Sequence, residues 1–341
     1  MIPRMSPNPL EDVQRGLQVI RERLRESAGA DPVDWVTDRF RQPLPPLPMQ
    51  ELQSELDSLI GLETVKEQVR ALIAFLQVQA RRLEHGLPEV ATSQHLVFLG
   101  NPGTGKTTIA RLLAQMYRSM GLLEKGHLVE VDRAGLVGED VGTTAIKTDR
   151  AIQRALDGVL FIDDAYALAR PGAYMRQDFG AEAVETLLKR MEDYRHRLVV
   201  IVAGYPRPME EFLNSNPGLR SRFSREITFP DYTTDELLAI SRKFAAENEY
   251  VLADDAAEAA RRVFDAARRG EGFGNARFAR TLFEQALNAQ ALRLADVSGQ
   301  MLEELEPAEL MRLTAADVSA AARALGEGDA SPRRRRWGRA S

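Results

Sequence analysis

The chain has 341 residues, 44% hydrophobic and 28% charged, a composition that supports a packed core and roughly two domains. A formal net charge of −5 argues against a positive field that would attract nucleic acid or membrane, and the absence of cysteine excludes disulfides and thiol-based sites. The N-terminus lacks the apolar core of a signal peptide, and no aliphatic run is long enough to span a bilayer. These features predict a soluble, cytoplasmic protein without membrane insertion.

The first 50 residues are predicted to form an N-terminal segment outside the main domains. Five aliphatic residues between positions 10 and 24 recur at helical spacing, which predicts one amphipathic helix over 10–28 that needs a partner surface. Four prolines between positions 43 and 48 predict an extended linker and a domain boundary near residue 50.

Residues 51–232 alternate helical and strand patterns, which is typical of a parallel α/β sheet. Five predicted strands are apolar on both alternations, as expected for a sheet covered on both faces: 95–99, 127–131, 158–162, 197–203 and 226–229. From 233 onward strand signals vanish, and four helical patterns predict a small all-α domain over 233–325: 233–247, 254–268, 275–294 and 307–325. Residues 326–341 are predicted to be a basic disordered tail.

Residues 100–108 read Gly-Asn-Pro-Gly-Thr-Gly-Lys-Thr-Thr and fit the phosphate-binding pattern G-x-x-x-x-G-K-[ST]. The glycines let the backbone curl so that successive N–H groups point at phosphates, while Lys106 adds a positive charge and Thr107 offers a hydroxyl to Mg²⁺. A predicted strand precedes this loop and a predicted helix over 107–120 follows it, which favours a true phosphate-binding loop (P-loop) over a chance match. The sequence therefore predicts binding of a nucleoside triphosphate with Mg²⁺.

An acidic pair follows a buried strand at the predicted sheet edge that carries the P-loop. The strand 158–162 ends in Asp163-Asp164, and parallel strands present their carboxyl ends to one crevice. This placement predicts that Asp163 binds Mg²⁺ and that Asp164 acts on the attacking water. The alternative is a helix cap formed by either carboxylate.

Three arginines are further candidates for the site. Arg220 and Arg222 lie just before the last predicted strand and are expected to reach a neighbouring subunit's nucleotide more easily than their own. The alternative for them is an ordinary surface pair. Arg277 opens a predicted helix of the α-domain, where it could sense the γ-phosphate within its own chain.

Residues 51–325 resemble an AAA+ ATPase of the group that contains the CbbX-type Rubisco activases, the stage V sporulation protein K and the EccA-type secretion ATPases. The stretches that carry the resemblance are Ile60-Gly-Leu62, Gly100–Thr108, Lys125-Gly-His-Leu128, Leu136-Val-Gly138, Gly158–Ala165, Ala203-Gly-Tyr205 and Asn216–Phe223.

The resemblance implies a doubly wound five-stranded sheet followed by a helical lid. It also implies a homo-oligomer in the form of a hexameric ring. This ring would hydrolyse ATP and pull on a protein client through a central pore. It implies that Arg220 and Arg222 are arginine fingers and that Arg277 is the second sensor. The residues expected to contact ATP are Ile60, Gly61, Leu62, Pro102, Gly103, Thr104, Gly105, Lys106, Thr107, Thr108 and Arg277. The residues expected to act in catalysis are Lys106, Asp164, Arg220 and Arg222. Thr107 and Asp163 are expected to bind the metal.

Two positions depart from the group's usual pattern. In the pore-loop segment, residues 137–142, Asp140 stands where an aromatic residue usually grips the translocated chain. The acidic pair is usually Asp-Glu, and the shorter side chain of Asp164 withdraws the carboxylate by roughly 1.5 Å. These departures predict that ATP binding and ring assembly persist while hydrolysis is slow. The alternative is a neutral change at both positions, compensated by a nearby backbone shift.

The sequence favours the first of three candidate functions. The first is an ATP-driven remodeller of a protein partner, and the second is a slowly hydrolysing, nucleotide-gated assembly scaffold. The third is action on nucleic acid, for which the basic segment Arg333–Arg339 with Trp337 offers the main support. The alternative for this segment is a solvated chain end.

Overall fold

The computed structural model describes residues 45–88, 93–140, 142–169, 179–297 and 305–327. The predicted helix over 10–28 and the basic segment 333–339 lie outside the described residues. Backbone contacts divide the chain after Pro46, and every element described below belongs to the unit that begins at Leu47. None of the helices in the described ranges is long and apolar enough to cross a membrane.

A parallel sheet of five strands forms the centre of this unit. Its strands are β1 (Leu96–Leu99), β2 (Leu128–Val131), β3 (Gly158–Ile162), β4 (Leu198–Gly204) and β5 (Arg225–Thr228). They are arranged in the order β2-β3-β4-β1-β5, and every neighbouring pair is parallel. The predicted doubly wound sheet is confirmed, and each strand lies within one residue of its predicted bounds.

Helices cover both faces of the sheet. The helices of this part are α1 (Met49–Ser58), α2 (Glu63–Glu84), α3 (Lys106–Ser119), α4 (Arg133–Leu136), α5 (Thr143–Ala155), α6 (Gly180–Asp193), α7 (Pro206–Asn214) and α8 (Pro217–Arg222). Alternate side chains of each central strand enter two hydrophobic clusters. In β1, Phe98 packs in the cluster that contains α1 to α3, and Val97 packs in the cluster that contains α5 to α7. This double burial explains why the strands are apolar on both alternations.

The chain then forms a lid of helices. Its elements are α9 (Thr234–Glu247), β6 (Val251–Leu252), α10 (Asp254–Ala266), α11 (Ala276–Val297), α12 (Pro307–Met311), β7 (Arg312–Leu313) and α13 (Ala315–Ala324). A capping box starts α9, in which the Thr233 hydroxyl accepts a hydrogen bond from the Glu236 N–H while the Glu236 carboxylate accepts one from the Thr233 N–H.

The lid corrects two details of the sequence prediction. Strand pairing does not end at residue 233, because β6 and β7 pair in parallel. The predicted helix over 307–325 is also interrupted by β7. Leu313 is fully buried in the lid core, and the carboxylate of Asp317 accepts hydrogen bonds from the Thr314 N–H at 2.9 Å and hydroxyl at 2.8 Å. This capping box starts a new helix after the strand.

A buried histidine lies directly before β1. The side chain of His95 packs against Phe223, and its Nδ1 accepts a hydrogen bond from the backbone N–H of Val200 at 3.0 Å. Burial lowers the pKa of His95 to about 4, and the positive charge of Arg222 acts in the same direction. The ring is therefore neutral in the folded protein at neutral pH.

We expect the free energy of unfolding to fall as the pH is lowered from 7 to 5. The unfolded histidine takes up a proton near pH 6.5 and the folded one only near pH 4, so protonation favours the unfolded chain between these values. This effect amounts to about 2 kcal/mol at pH 5. Urea denaturation of the wild type and His95→Asn, which keeps an acceptor, measures it. Equal pH dependence in the two proteins would contradict the assignment.

Candidate nucleotide site

The P-loop joins β1 to α3 and is shaped by glycines with left-handed backbones. Gly103 has a φ of 72° and Gly105 a φ of 92°, a region that favours glycine. Gly105 is also the N-cap of α3, whose first helical residue is Lys106. The first N–H groups of α3 have no partner within the helix and form an anion-binding end.

Lys106 is the buried cation of the loop. Its Nζ donates hydrogen bonds to the carbonyl oxygens of Gly100 at 3.0 Å and Asn101 at 2.8 Å. Burial lowers the pKa of Lys106, whereas the carboxylates of Asp163 and Asp164 act to raise it. The ammonium group and the acidic pair thus interact electrostatically across the crevice.

A cavity of about 750 Å³ brings most of the predicted site residues together. The predicted residues that line it are Ile60, Leu62, Pro102, Gly103, Gly105, Lys106, Thr107, Thr108, Asp163, Asp164 and Arg277. Thr104 is instead fully buried, and its hydroxyl donates to the carbonyl of Asn101 at 2.8 Å. Its side chain therefore stabilises the loop backbone and does not face the cavity.

The acidic pair lies where β3 ends. Burial and the neighbouring charge of Asp164 raise the pKa of Asp163, and Lys106 opposes this effect. Asp164 is exposed and has a φ of 48°, a left-handed conformation that aspartate tolerates better than most residues. A half-buried carboxylate beside a lysine, with the Thr107 hydroxyl in the same cavity, fits Mg²⁺, which binds proteins through one or two side chains plus phosphate oxygens.

The turn Ile60–Leu62 borders the cavity through Ile60 and Leu62, whereas Gly61 does not line it. Gly61 and Leu62 both have positive φ, and a Cβ at Gly61 would lie 2.1 Å from the carboxylate of Glu236 in α9. The buried Lys66 fixes this turn, because its Nζ donates to the carbonyl of Leu59 at 2.7 Å. The turn is therefore held between α2 and the lid.

The cavity also contains residues that the sequence analysis missed. They are Leu59, Tyr205, Tyr232, Ile240, Lys243, Phe244, Glu247, Ala276 and Arg280. The signal in the sequence was the spacing of Ile240, Lys243, Phe244 and Glu247, which places all four on one face of α9. Phe244 supplies an aromatic wall, and the guanidinium carbon of Arg280 lies 4.8 Å from its ring centroid.

Two tyrosines, Tyr205 and Tyr232, line the cavity. Tyr205 follows β4. This strand lies between β1, which leads to the P-loop, and β3, which leads to the acidic pair. Burial raises the pKa of Tyr205, and the charge of Asp164 adds to the effect. Tyr232 lies between sheet and lid, and its hydroxyl donates to the carbonyl of Thr104 at 3.4 Å. Burial raises the pKa of Tyr232 to about 12, so it remains a hydrogen-bond donor at neutral pH.

The lid touches the P-loop directly. The backbone N–H of Ala276 donates to the carbonyl of Gly103 at 3.2 Å, and a Cβ at Gly103 would lie 2.2 Å from the carbonyl oxygen of Gly274. Arg277 follows in the first turn of α11 and lines the cavity. The structure thus places this arginine beside the loop of its own chain.

Arg220 and Arg222 are located elsewhere. They belong to α8, which leads into β5, and Arg225 of β5 is in register with Leu96 at the start of β1. The pair therefore lies at the amino edge of the sheet, separated from the P-loop by the length of β1, ~13 Å for four extended residues. Arg220 forms an ion pair with Glu226 at 2.9 Å, and Arg222 forms one with Glu192 at 3.2 Å. Neither arginine lines the nucleotide cavity.

The pore-loop segment is outside the cavity as well. Asp140 is exposed, and its backbone carbonyl accepts a hydrogen bond from the Thr143 hydroxyl at 2.7 Å. The Thr144 hydroxyl accepts one from the Gly138 N–H at 2.9 Å. Residue 141 lies outside the described residues. The first two threonines of α5 thus anchor the segment where it enters the helix.

Comparison with known proteins bears on this site. The profile of the ATPase family associated with various cellular activities (AAA) matches residues 96–231, and that of the AAA lid domain matches residues 233–327. The chain is similar to the stage V sporulation protein K of Bacillus subtilis, with 41% identity over 274 residues that cover 80% of this chain and 83% of the relative. It is also similar to Protein CbbX of Cereibacter sphaeroides, with 44% identity over 74% of this chain and 82% of the relative.

A further relative is longer than this chain. The ESX-3 secretion system protein EccA3 of Mycolicibacterium smegmatis is 46% identical over 285 residues, which cover 80% of this chain and 46% of the relative. The chain therefore spans about half the length of this relative.

Solved structures agree on the fold. The FIGL-1 AAA domain has a TM-score of 0.55 at 20% identity and covers 79% of this chain and 82% of its own. A Thermotoga maritima RuvB mutant has a TM-score of 0.54 at 20% identity, and the match covers 80% of this chain and 74% of the RuvB chain. From the P-loop cavity, the lid that closes it and these relatives, we conclude that the chain belongs to the AAA family of ATPases.

Proposed function

We propose that this protein is an ATP-hydrolysing remodeller of a protein partner that works as a ring of identical subunits, six by analogy with its family. One observation carries the proposal. A single chain places the P-loop, the acidic pair and Arg277 around one cavity but holds Arg220 and Arg222 at the opposite edge of the sheet. A site that uses all of these residues requires a second copy of the chain.

In the proposed site each group has one task. Gly103, Gly105 and Lys106 hold the phosphates, and Ile60–Leu62 with Phe244 enclose the adenine. Bound Mg²⁺ would neutralise charge on the phosphate oxygens, held by Thr107 and Asp163. Asp164 orients the attacking water. Arg220 or Arg222 of the adjacent subunit, together with Arg277, stabilises the charge that develops on the γ-phosphate.

The nature of the client is the part of the proposal that rests on the relatives. The names of two of them refer to sporulation and to a secretion system. A third relative is the ribulose bisphosphate carboxylase/oxygenase activase of Cyanidioschyzon merolae, 41% identical over 271 residues that cover 79% of this chain and 91% of the relative. Protein remodelling is the activity that could serve all three settings. We therefore propose a protein client without naming it, and a division of the chain near residue 232 between the ATPase domain and the lid.

A slowly hydrolysing, nucleotide-gated scaffold is the second candidate. Two observations favour it. The carboxylate of Asp164 is one methylene shorter than the usual glutamate, and the exposed Asp140 offers no aromatic grip on a translocated chain. In this alternative, ATP controls assembly and partner binding, and turnover only resets the ring.

We expect Arg222→Ala to reduce ATP turnover by about 10³-fold or more, with ATP affinity nearly unchanged, if Arg222 is a finger acting on a neighbour's nucleotide. Arg220→Ala is tested in parallel. The matched control is Arg195→Ala, because Arg195 also pairs with Glu192, at 3.8 Å, but is 66% exposed. Steady-state hydrolysis and titration with a fluorescent ATP analogue provide the two readouts.

Subunit mixing then separates action in trans from a structural role. Arg222→Ala keeps Lys106, and Lys106→Ala keeps Arg222, so a mixed ring contains intact composite sites. An equimolar mixture should recover about a quarter of wild-type turnover if sites act independently. A mixture as inactive as its components would contradict the composite site.

The two candidate functions differ in the behaviour of Asp164→Glu. For the scaffold, the longer carboxylate should raise turnover by roughly tenfold or more, because it recovers an ~1.5 Å displacement from the water. Asp164→Asn is the control, because it occupies similar space without a negative charge and should be inactive. A wild type that already matches or exceeds Asp164→Glu would instead favour the remodeller.

A further inference from the structure

We infer that Asp231 is a positioning residue that ties the P-loop to the lid and thereby sets the location of Arg277 relative to the phosphates. The inference rests on the proposed role of Arg277 and concerns a residue outside the sequence patterns described above. Asp231 lies between β5 and α9, where the chain passes from the sheet to the lid.

The carboxylate of Asp231 accepts hydrogen bonds from one residue of the P-loop and from one residue of the lid. Nδ2 of Asn101, in the P-loop, donates to its two oxygens at 2.9 and 3.1 Å. Nδ2 of Asn275, in the lid, donates to Oδ1 at 2.7 Å. A charged acceptor makes these hydrogen bonds stronger than bonds between neutral groups.

Both asparagines are fixed by further bonds. Asn101 Nδ2 also donates to the carbonyl of Gly270 at 2.9 Å, and its Oδ1 accepts from the N–H of Gly272 at 3.0 Å. Asn275 is fully buried, and its Oδ1 accepts from the N–H of Tyr232 at 2.8 Å. Oxygen and nitrogen of each amide therefore face partners of the correct kind, and the segment before α11 has little freedom to move.

The network reaches the catalytic groups at both ends. The backbone carbonyl of Asn101 accepts the hydrogen bond from Lys106 Nζ, so one residue contacts the phosphate-binding lysine and the lid. Asn275 has a φ of 47°, a left-handed conformation that asparagine tolerates, and it precedes Arg277 by two residues. The orientation of the first turn of α11 thus depends on the bond between Asn275 and Asp231.

A double-mutant cycle with Arg277 tests the consequence. We expect Asp231→Asn to lower kcat about 10- to 100-fold in the wild-type background, because a displacement of about 1 Å at a reacting centre costs this much. In the Arg277→Ala background the same change should have an effect of about twofold or less, since the group that it positions is already absent. Equal losses in both backgrounds would overturn the inference.

Hydrogen exchange of the nucleotide-free protein tests the tether itself. Asp231→Asn should accelerate exchange of the amides at 272–276, which include donors to Asn101 and Gly103. The matched control is Asp157→Asn. Asp157 is another carboxylate held by side-chain donors, since it accepts two hydrogen bonds from Arg197, both at 2.8 Å, but it precedes β3 at the amino edge of the sheet. The control should leave exchange at 272–276 unchanged.

A second variant covers the case in which Asp231→Asn fails to fold. Asn101→Ala removes the P-loop half of the tether, leaves the bond between Asp231 and Asn275, and should change exchange and kcat in the same directions. Unchanged exchange at 272–276 in the folded variants would overturn the inference. A wild type no more active than Lys106→Ala would contradict the proposed function instead, and the exchange data would still decide the tether.

Discussion

The close approach of the P-loop to the first turn of α11 is the contact on which the nucleotide cavity depends. The carbonyl of Gly103 accepts the N–H of Ala276, and the space beside Gly103 is too small for a Cβ. Because the two segments touch, the cavity has one wall from the sheet domain and one from the lid. In the proposed function, Lys106 acts on the phosphates from the first wall and Arg277 from the second, so the phosphate environment would depend on where the lid lies.

The sheet separates two kinds of arginine that would act on the same reaction. Arg277 lies at the carboxyl edge with the P-loop, whereas Arg220 and Arg222 lie at the amino edge and pair with carboxylates of their own chain. Ion pairs at the protein surface contribute little stability, so breaking either pair costs little. An arginine at this edge is therefore available to a neighbouring subunit, which links ATP turnover to assembly in the proposed function.

Local patterns made the sheet and the P-loop predictable. The P-loop depends on glycine spacing, and the strands depend on short apolar runs, both of which can be read without knowledge of the fold. The break at Arg312–Leu313 was missed because the apolar pattern continues through it, while tertiary contacts of Leu313 select a strand. The Asp231 network was also missed. Its three polar residues come from distant parts of the sequence, and only the packing of the lid brings them together.

Isothermal titration calorimetry with Mg·ATP is the most direct test of a cavity shared by P-loop and lid. We predict one ATP bound per wild-type chain, no measurable binding by Lys106→Ala, and at least about tenfold weaker binding by Phe244→Ala, which loses an apolar wall of the lid. If wild type and Phe244→Ala bound ATP equally well, the lid would not form part of the site. If the wild type bound no ATP, the cavity would not be a nucleotide site.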